Sequence, residues 1–322
     1  MGKMTDLNTN DKLLAMLQRG IDISPRPFAK IAESLQISED EVVKRTQLLM
    51  EEGIIRRLGG VWNSAALGFK SSLFALNATP QDITAIADKL NSDPGITHSY
   101  VREGKPNLWF TLTAHKSEFE RKVAALEISV KPLQLFAMPA VKHFKVQVIF
   151  DKSEKQPASI APRKHVSPIE LSEKEKEIVK YFQSSIPFTV HGYKKPAGAL
   201  GYSEDELISK LENWISWGVL KRVAAIIRHT RFGFKGNSMC VWSISPDKAN
   251  QLGLILANRP EVSHCCMRES CSEFPFNLYA MIHASDEELV KSKFEEISEI
   301  IGNNGKMLMS VKELKKTSPV YF

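Results

Sequence analysis

The 322-residue sequence lacks long apolar runs and carries little cysteine. No apolar stretch approaches the ~20 residues that a membrane-spanning helix needs, and the N-terminus opens on polar residues instead of an apolar signal core. These absences predict a cytoplasmic protein with no membrane partner. Hydrophobic residues make up 43% and charged residues 25% of the chain, which is typical of a globular protein with two or more domains.

Sequence signatures of dinucleotide and metal sites are also missing. The four cysteines all lie in the second half, and Cys265, Cys266 and Cys271 lack a paired Cys-x-x-Cys spacing. A structural zinc site requires two such spacings or nearby histidines, so reduced thiols are the better interpretation. No Gly-x-Gly-x-x-Gly stretch is present either. The net charge of +6 points to an anionic partner, either nucleic acid or a small polycarboxylate.

An internal repeat defines the architecture, and it is visible as three blocks that recur in the same order. The two copies of the first block are 165 positions apart, from residue 53 to residue 218, and short insertions lengthen this offset in the later blocks. The matched blocks are 53–58 (GIIRRL) with 218–223 (GVLKRV), 95–103 (GITHSYVRE) with 261–269 (EVSHCCMRE), and 106–109 (PNLW) with 276–279 (FNLY). The chain is therefore two diverged copies of one module.

Each copy begins with a helix-turn-helix pattern. Apolar residues at helical spacing predict a short helix over 28–35, and Ser38 with Glu41 predicts the capped start of a second helix. Ser203 and Glu206 repeat this start in copy two. Each β-branched stretch that follows predicts a wing, and a strand–helix–strand–strand–helix–strand pattern then predicts a ferredoxin-like domain.

The fold class is therefore α+β: tandem winged helix-turn-helix and ferredoxin-like (RAM-type) domains, fused as a pseudo-twofold dimer. A Pro- and Lys-rich linker joins the copies. The predicted bounds are 1–60 and 61–150 for the two domains of copy one, 151–168 for the linker, and 169–225 and 226–322 for the two domains of copy two.

This architecture resembles the Lrp/AsnC transcription regulators, but the candidate recognition helices do not suit DNA. The segment 38–52 has five acidic residues against two basic ones, and 203–214 has four against one. Acidic first turns suit a helix dipole but not a phosphate backbone. Trp214 and Trp217 also predict a buried packing helix. We therefore expect the helix-turn-helix to serve as scaffold.

Basic residues are concentrated instead in the repeated blocks. His98 and Arg102 stand four apart on one predicted strand, as do His264 and Arg268, so each pair faces one side of its sheet. Arginine suits bidentate carboxylate binding, although a strand histidine is often only structural. The copies differ in one notable charged pair: copy two has Arg228-His229 where copy one has Asn63-Ser64. This mismatch has no evident packing purpose, which favours a functional role.

The His-x3-Arg and Asn-Leu-Trp/Tyr combination resembles the sirohaem decarboxylases, whose two related subunits each resemble an Lrp/AsnC regulator. Residues 95–113 are similar to one subunit. Residues 221–234, 262–283 and 312–322 are similar to the other, so nearly the whole chain is covered. The resemblance implies loss of CO2 from the acetates on rings C and D of sirohaem, giving 12,18-didecarboxysirohaem in haem or haem d1 biosynthesis. The iron tetrapyrrole is then the substrate, and no added cofactor or protein-bound metal is expected.

We predict site residues on this basis. His229 would donate or relay the proton, and Arg228 would orient the reacting acetate, which gives one competent site per chain. His264 is alternatively a ligand to the substrate iron. The predicted substrate-binding residues are Arg222, His264, Arg268, Asn277, Arg57, His98, Arg102 and Trp109. A tetrapyrrole-responsive regulator and an inactive partner subunit are the alternatives, and a homo-oligomer is left open.

Overall fold

The computed structural model describes residues 2–146, 166–187, 189–228, 236–302 and 305–322, so most of the predicted linker lies outside the described residues. Copy one comprises α1 (Gly2–Arg19), α2 (Ala29–Leu35), α3 (Glu39–Glu51), β1 (Ile55–Trp62), β2 (Phe69–Leu76), α4 (Ile83–Asn91), β3 (Ile96–Arg102), β4 (Leu108–His115), α5 (Lys116–Ser129), β5 (Phe136–Met138) and β6 (Ala140–Val146). Copy two comprises α6 (Glu173–Gln183), α7 (Lys194–Ala199), α8 (Glu204–Ser216), β7 (Leu220–Ile227), β8 (Gly236–Trp242), α9 (Pro246–Ala257), β9 (Val262–Arg268), β10 (Leu278–Ala284), α10 (Glu287–Ile301) and β11 (Lys306–Lys316).

The helix-turn-helix units begin where their caps predict. The Ser38 hydroxyl accepts the Glu41 amide at 3.2 Å, and Ser203 forms a full capping box with Glu206 at the start of α8. Each cap satisfies amides that have no partner inside the helix. Trp214 is 1% exposed as predicted, but Trp217 is 56% exposed, so the expectation that both are buried was wrong. Trp217 is the C-cap of α8, beyond the face that packs inward.

The two wing strands pair with each other to form an antiparallel ribbon of β1 and β7. Gly59 lies opposite Ala224, and the 165-position offset relates the same two residues. Repeat-equivalent residues face each other only around a local twofold axis, which therefore passes between them. The ribbon and both helix-turn-helix units share one buried core, with Trp62 packed edge-on against Trp214 at 5.6 Å.

The ferredoxin-like domains join into one nine-stranded sheet with the order β5-β2-β4-β3-β11-β8-β10-β9-β6. The copies exchange their last strands. β11 pairs first with β8 of its own copy and then, from Ser310 to Lys316, with β3 of copy one. β5 pairs with β2, and β6 crosses to pair with β9. This exchange is the strand-level basis of the pseudo-twofold fused dimer that the repeat predicts.

The buried side chains show why the two domains form one body. Helices α4 and α5 cover one half of the sheet, and α9 and α10 cover the other, each with its own core. A further cluster combines copy-one residues such as Trp109 and Met138 with copy-two residues such as Met239 and Tyr279. Because this cluster spans both copies, the site above it is built on a shared floor.

Candidate active site

A cavity of about 550 Å³ lies between the ribbon and the central sheet, within the size range of ligand pockets. Both copies supply its walls. Copy one contributes residues of β2, β3 and β4, and copy two contributes residues of β8, β9 and β10. The ribbon, Gln18 of α1 and Lys316 of the exchanged strand β11 complete the described lining. The site therefore depends on the fusion of two modules.

The predicted His/Arg pairs form facing walls of this cavity. His98 and Arg102 line it from β3, and His264 and Arg268 line it from β9. Trp109 is also in the wall, where its indole nitrogen donates to the Pro106 carbonyl at 2.8 Å. With Arg222 of the ribbon, the structure thus brings six of the predicted site residues together around one space.

Arg102 and Arg268 hold equivalent positions at the strand exchange. Arg102 Nη1 donates to the Leu308 carbonyl at 3.1 Å, and Arg268 Nη1 donates to the Met138 carbonyl at 2.8 Å. Each guanidinium also lies beside an aromatic ring, Arg102 by Tyr100 at 5.1 Å and Arg268 by Tyr279 at 5.5 Å. Their Nε atoms are buried and have no hydrogen-bond partner among the described residues. A buried donor without a partner is costly, so these atoms point to a ligand that carries acceptor oxygens.

Burial controls the charge of this wall. Arg102 is 5% exposed, and desolvation lowers its pKa to about 10, which leaves the side chain cationic at neutral pH. Desolvation lowers the pKa of His98 to about 4, and the nearby positive charges of Lys316 and Arg56, with His264, act in the same direction. His98 is therefore neutral near pH 7, with Nδ1 hydrogen-bonded to the Thr97 hydroxyl at 2.9 Å. The His264 ring makes the matching contact with Ser263 at 3.1 Å.

Two arginines enter the cavity from the ribbon. Arg222 donates from Nε to the Gln18 carbonyl at 3.0 Å, and Arg56 donates to the Lys316 carbonyl and the Ser318 hydroxyl, both at 3.1 Å. Burial lowers the pKa of both arginines. With Lys316, they add positive charge to the walls, and the described lining contains no aspartate or glutamate. Such a space suits a polyanion.

Not every predicted residue faces the cavity. Arg57 donates instead to the Ser318 hydroxyl, which Arg56 also binds, at 3.1 Å and to the Gly60 carbonyl at 3.2 Å, so its guanidinium binds protein. Asn277 uses its amide to hold Ile244 through two backbone hydrogen bonds, as Asn107 holds Ala78 in copy one. Both side chains are therefore bound to protein and are absent from the described cavity lining, and their predicted contact with substrate stays a prediction.

Of the two predicted catalytic residues, the structure describes only Arg228. His229 lies outside the described residues. Arg228 is exposed at the end of β7, where its amide donates to the Ile54 carbonyl at 2.8 Å, and it is absent from the described cavity lining. Its charge nevertheless reaches the site, because it lowers the pKa of the cavity residue Arg56.

Sequence reasoning missed several lining residues. Arg56, Lys316, Tyr100 and His283 all line the cavity. Arg56 precedes an irregularity in the ribbon register, and Lys316 reaches the site only through strand exchange, so neither position could be assigned from spacing. Tyr100 did carry a signal, because it lies between His98 and Arg102 with the same strand parity.

Other features bear on the alternatives. Arg45 of α3 is paired with Glu41, and Arg26, which precedes α2, is paired with Glu39. These ion pairs reduce the positive charge that α3 could offer to DNA phosphates. Cys240, Cys265 and Cys266 are buried and form no disulfide. Among the described residues, no group of three or more metal-ligating side chains is found, and no helix is both long and apolar enough to cross a bilayer.

Comparison with known proteins agrees with this geometry. Residues 66–145 and 231–315 match the family of AsnC-like ligand binding domains. Residues 10–56 match the family described as "Siroheme decarboxylase NirDL-like HTH domain". A sirohaem decarboxylase of Hydrogenobacter thermophilus is 32% identical over 318 residues, covering 98% of this chain and 95% of the relative.

Shorter relatives and a solved structure extend the comparison. The sirohaem decarboxylase alpha subunit of Desulfovibrio desulfuricans is 36% identical over 148 residues, which is 46% of this chain and 86% of that subunit. The crystal structure of the sirohaem decarboxylase NirDL is 30% identical with a TM-score of 0.75, covering 98% of this chain and 94% of that one. A second NirDL structure, in complex with an iron-uroporphyrin III analogue, gives a TM-score of 0.74 at 30% identity over the same shares. The chain belongs to the sirohaem decarboxylase family.

Proposed function

We propose that this chain removes CO2 from the acetate side chains on rings C and D of sirohaem, giving 12,18-didecarboxysirohaem for haem or haem d1 biosynthesis. One observation carries the proposal: a cavity walled by equivalent His/Arg pairs, with unpartnered Arg Nε atoms and no described carboxylate. NirDL relatives bear the name sirohaem decarboxylase, and one is solved with an iron-uroporphyrin III analogue.

The cavity supplies what this decarboxylation requires. Positive side chains such as Arg102, Arg268 and Arg222 would hold the carboxylates that do not react. The apolar ribbon residues Ala225 and Ile226 also line the space and exclude water from the reacting acetate, which favours loss of its charge as CO2. The reaction then needs a proton at the methylene carbon, and it needs no electron donor.

Roles for individual residues follow from position. The walls from β3 and β9 would anchor the macrocycle from both sides, with Trp109 and Tyr279 in the wall as flat apolar surfaces. His264 is the candidate ligand for the substrate iron, Arg228 would orient the reacting acetate, and His229 would donate or relay the proton. We propose that the only metal in the reaction is the iron of the substrate and that no separate cofactor is required.

The direct test is anaerobic incubation of the purified full chain with sirohaem, followed by mass spectrometry of the tetrapyrrole. We expect loss of two CO2 per macrocycle and one reacting tetrapyrrole per chain. Two reacting tetrapyrroles per chain would contradict the single site. Unchanged sirohaem, together with a tetrapyrrole-dependent shift of DNA in a gel, would favour the regulator instead.

A further inference from the structure

One acidic side chain contacts the cavity wall from outside. Glu313 on β11 is the direct cross-strand partner of Tyr100 on β3, and paired residues of a sheet project to the same face. The Tyr100 hydroxyl donates to Glu313 Oε2 at 3.2 Å. Tyr100 lines the cavity, whereas the Glu313 side chain is 48% exposed. The pair therefore spans the distance from the cavity to solvent.

Charged groups on every neighbouring element act on this pair. Arg102 of the same strand lies beside the Tyr100 ring, and Arg56 of the ribbon is close enough to interact with both Tyr100 and Glu313. Lys316 approaches Glu313 at 3.9 Å. Burial and the Glu313 charge raise the pKa of Tyr100, so its hydroxyl holds a proton at neutral pH.

We propose that Tyr100 donates a proton to the substrate and that Glu313 reloads it from solvent. This inference rests on the proposed function and adds a proton path to it, in which Tyr100 is the group that protonates carbon and His229 keeps the relay role. Such a path is needed because each decarboxylation consumes one proton, and the surrounding arginines cannot supply one at neutral pH. The flanking cations stabilise the phenolate that forms when Tyr100 gives up its proton.

The chemical balance of each step is simple. The C–C bond to the carboxylate breaks, CO2 leaves, and the electron pair stays on the methylene carbon. That carbon takes the Tyr100 proton and becomes a methyl group. The Glu313 carboxylate then takes a proton from water and passes it to the Tyr100 phenolate, which leaves Glu313 a carboxylate again. No electron donor or acceptor is consumed, and two turns of the cycle convert two acetates.

The path belongs to one half of the molecule. The repeat places Cys266 on β9 where copy one has Tyr100, since His98 matches His264 and Arg102 matches Arg268. Tyr279, the tyrosine in the opposite wall, is buried and donates to the Met138 sulfur at 3.3 Å. Its hydroxyl therefore lies against the protein core, whereas the Tyr100 hydroxyl is joined to solvent through Glu313.

The test compares Tyr100→Phe and Glu313→Gln with matched controls, using single-turnover CO2 release from sirohaem under anaerobic conditions. Tyr202→Phe and Glu103→Gln serve as controls, because neither side chain lines the cavity. We expect about 100-fold slower release of both CO2 molecules for Tyr100→Phe. For Glu313→Gln we expect about 10-fold slower release of the second CO2 only, because Tyr100 starts protonated, and sirohaem affinity within about threefold of wild type for both variants. The controls should match wild type.

Two further readouts separate a proton path from a structural effect. Adding imidazolium buffer should restore Glu313→Gln but not Tyr100→Phe, because only the former keeps the final donor. The solvent deuterium isotope effect should rise in Glu313→Gln as reloading becomes limiting. A wild-type chain that releases no CO2 would overturn both proposals. Active wild type with both variants within twofold, or with affinity lost at an unchanged rate, would overturn the proton path alone.

Discussion

The two copies agree in the cavity walls and differ at the ends of the ribbon. His98 and Arg102 have direct counterparts in His264 and Arg268, with matching hydroxyl contacts on the histidines. Duplication therefore preserved what holds a large, nearly symmetric polyanion. A reacting acetate, in contrast, needs one specific set of groups, and we propose that the changed dipeptide Arg228-His229 is part of it.

The ribbon ends show how local this difference is. The Asn63 amide donates to the Val219 carbonyl at 2.9 Å, and the Arg228 amide donates to the equivalent Ile54 carbonyl at 2.8 Å, so the backbones match. The side chains do not. Asn63 binds the Gly218 carbonyl at 3.0 Å and Ser64 binds the Tyr321 hydroxyl at 2.7 Å, whereas Arg228 is exposed. In copy one these two side chains are bound to protein groups, whereas the proposed roles of Arg228 and His229 belong to copy two alone.

The largest effect is expected at His229, where the two copies differ most. We predict that His229→Ala slows CO2 release from bound sirohaem by roughly 100-fold or more, the typical contribution of a general acid. The repeat-equivalent change Ser64→Ala should alter the rate less than twofold. Stopped-flow absorbance of the tetrapyrrole and mass spectrometry would measure both. An unchanged rate in His229→Ala with intact binding would remove His229 from the mechanism.

Much of this organisation could be predicted because the repeat carries it. Blocks 53–58 and 218–223 identified the ribbon strands, and their offset also predicts which residues meet at the axis. The His/Arg pairs were found through strand parity. Arg57 was predicted from the repeated basic block, and spacing could not show that its guanidinium binds Ser318, a residue that follows the exchanged strand β11. Similarly, Asn277 looked functional by its motif, but its amide is used to hold the Ile244 backbone.

A second prediction concerns how the stability of the chain depends on pH through His98 in the cavity wall. Burial holds the pKa of His98 at about 4 in the folded chain, below an unfolded value of ~6.5. Between these values the unfolded chain binds more protons, so stability is present above pH ~6.5 and is lost as the pH falls towards 4. The free energy of unfolding lost on acidification reaches about 3 kcal/mol, and His98→Asn should remove most of this loss. Urea unfolding of both proteins at pH 7 and pH 4.5 measures the difference.

The control for this prediction is His191→Asn, since His191 is exposed on the second helix-turn-helix unit. This variant should lose as much unfolding free energy between pH 7 and pH 4.5 as the wild type does. Bound substrate should reverse the effect, because carboxylates near His98 favour its charged form. Sirohaem binding would then take up protons, which calorimetry in buffers of different ionisation enthalpy detects. Equal acid loss in His98→Asn and wild type would show that burial of this wall does not control its charge.

The smallest effect tests why the ribbon itself is asymmetric at its axis. A Cβ on Gly59 would lie 2.2 Å from the Ser184 carbonyl oxygen and 2.6 Å from that of Phe182, both at the end of α6. Ala224, its partner, carries a methyl group that is fully buried. We predict that Gly59→Ala costs about 1–3 kcal/mol of unfolding free energy, because backbone carbonyls cannot move aside cheaply. Ala224→Gly should cost only about 0.5–1 kcal/mol, through lost packing and added backbone freedom. Urea unfolding of the two variants measures this ordering, and equal costs would mean that α6 does not fix the ribbon above the cavity.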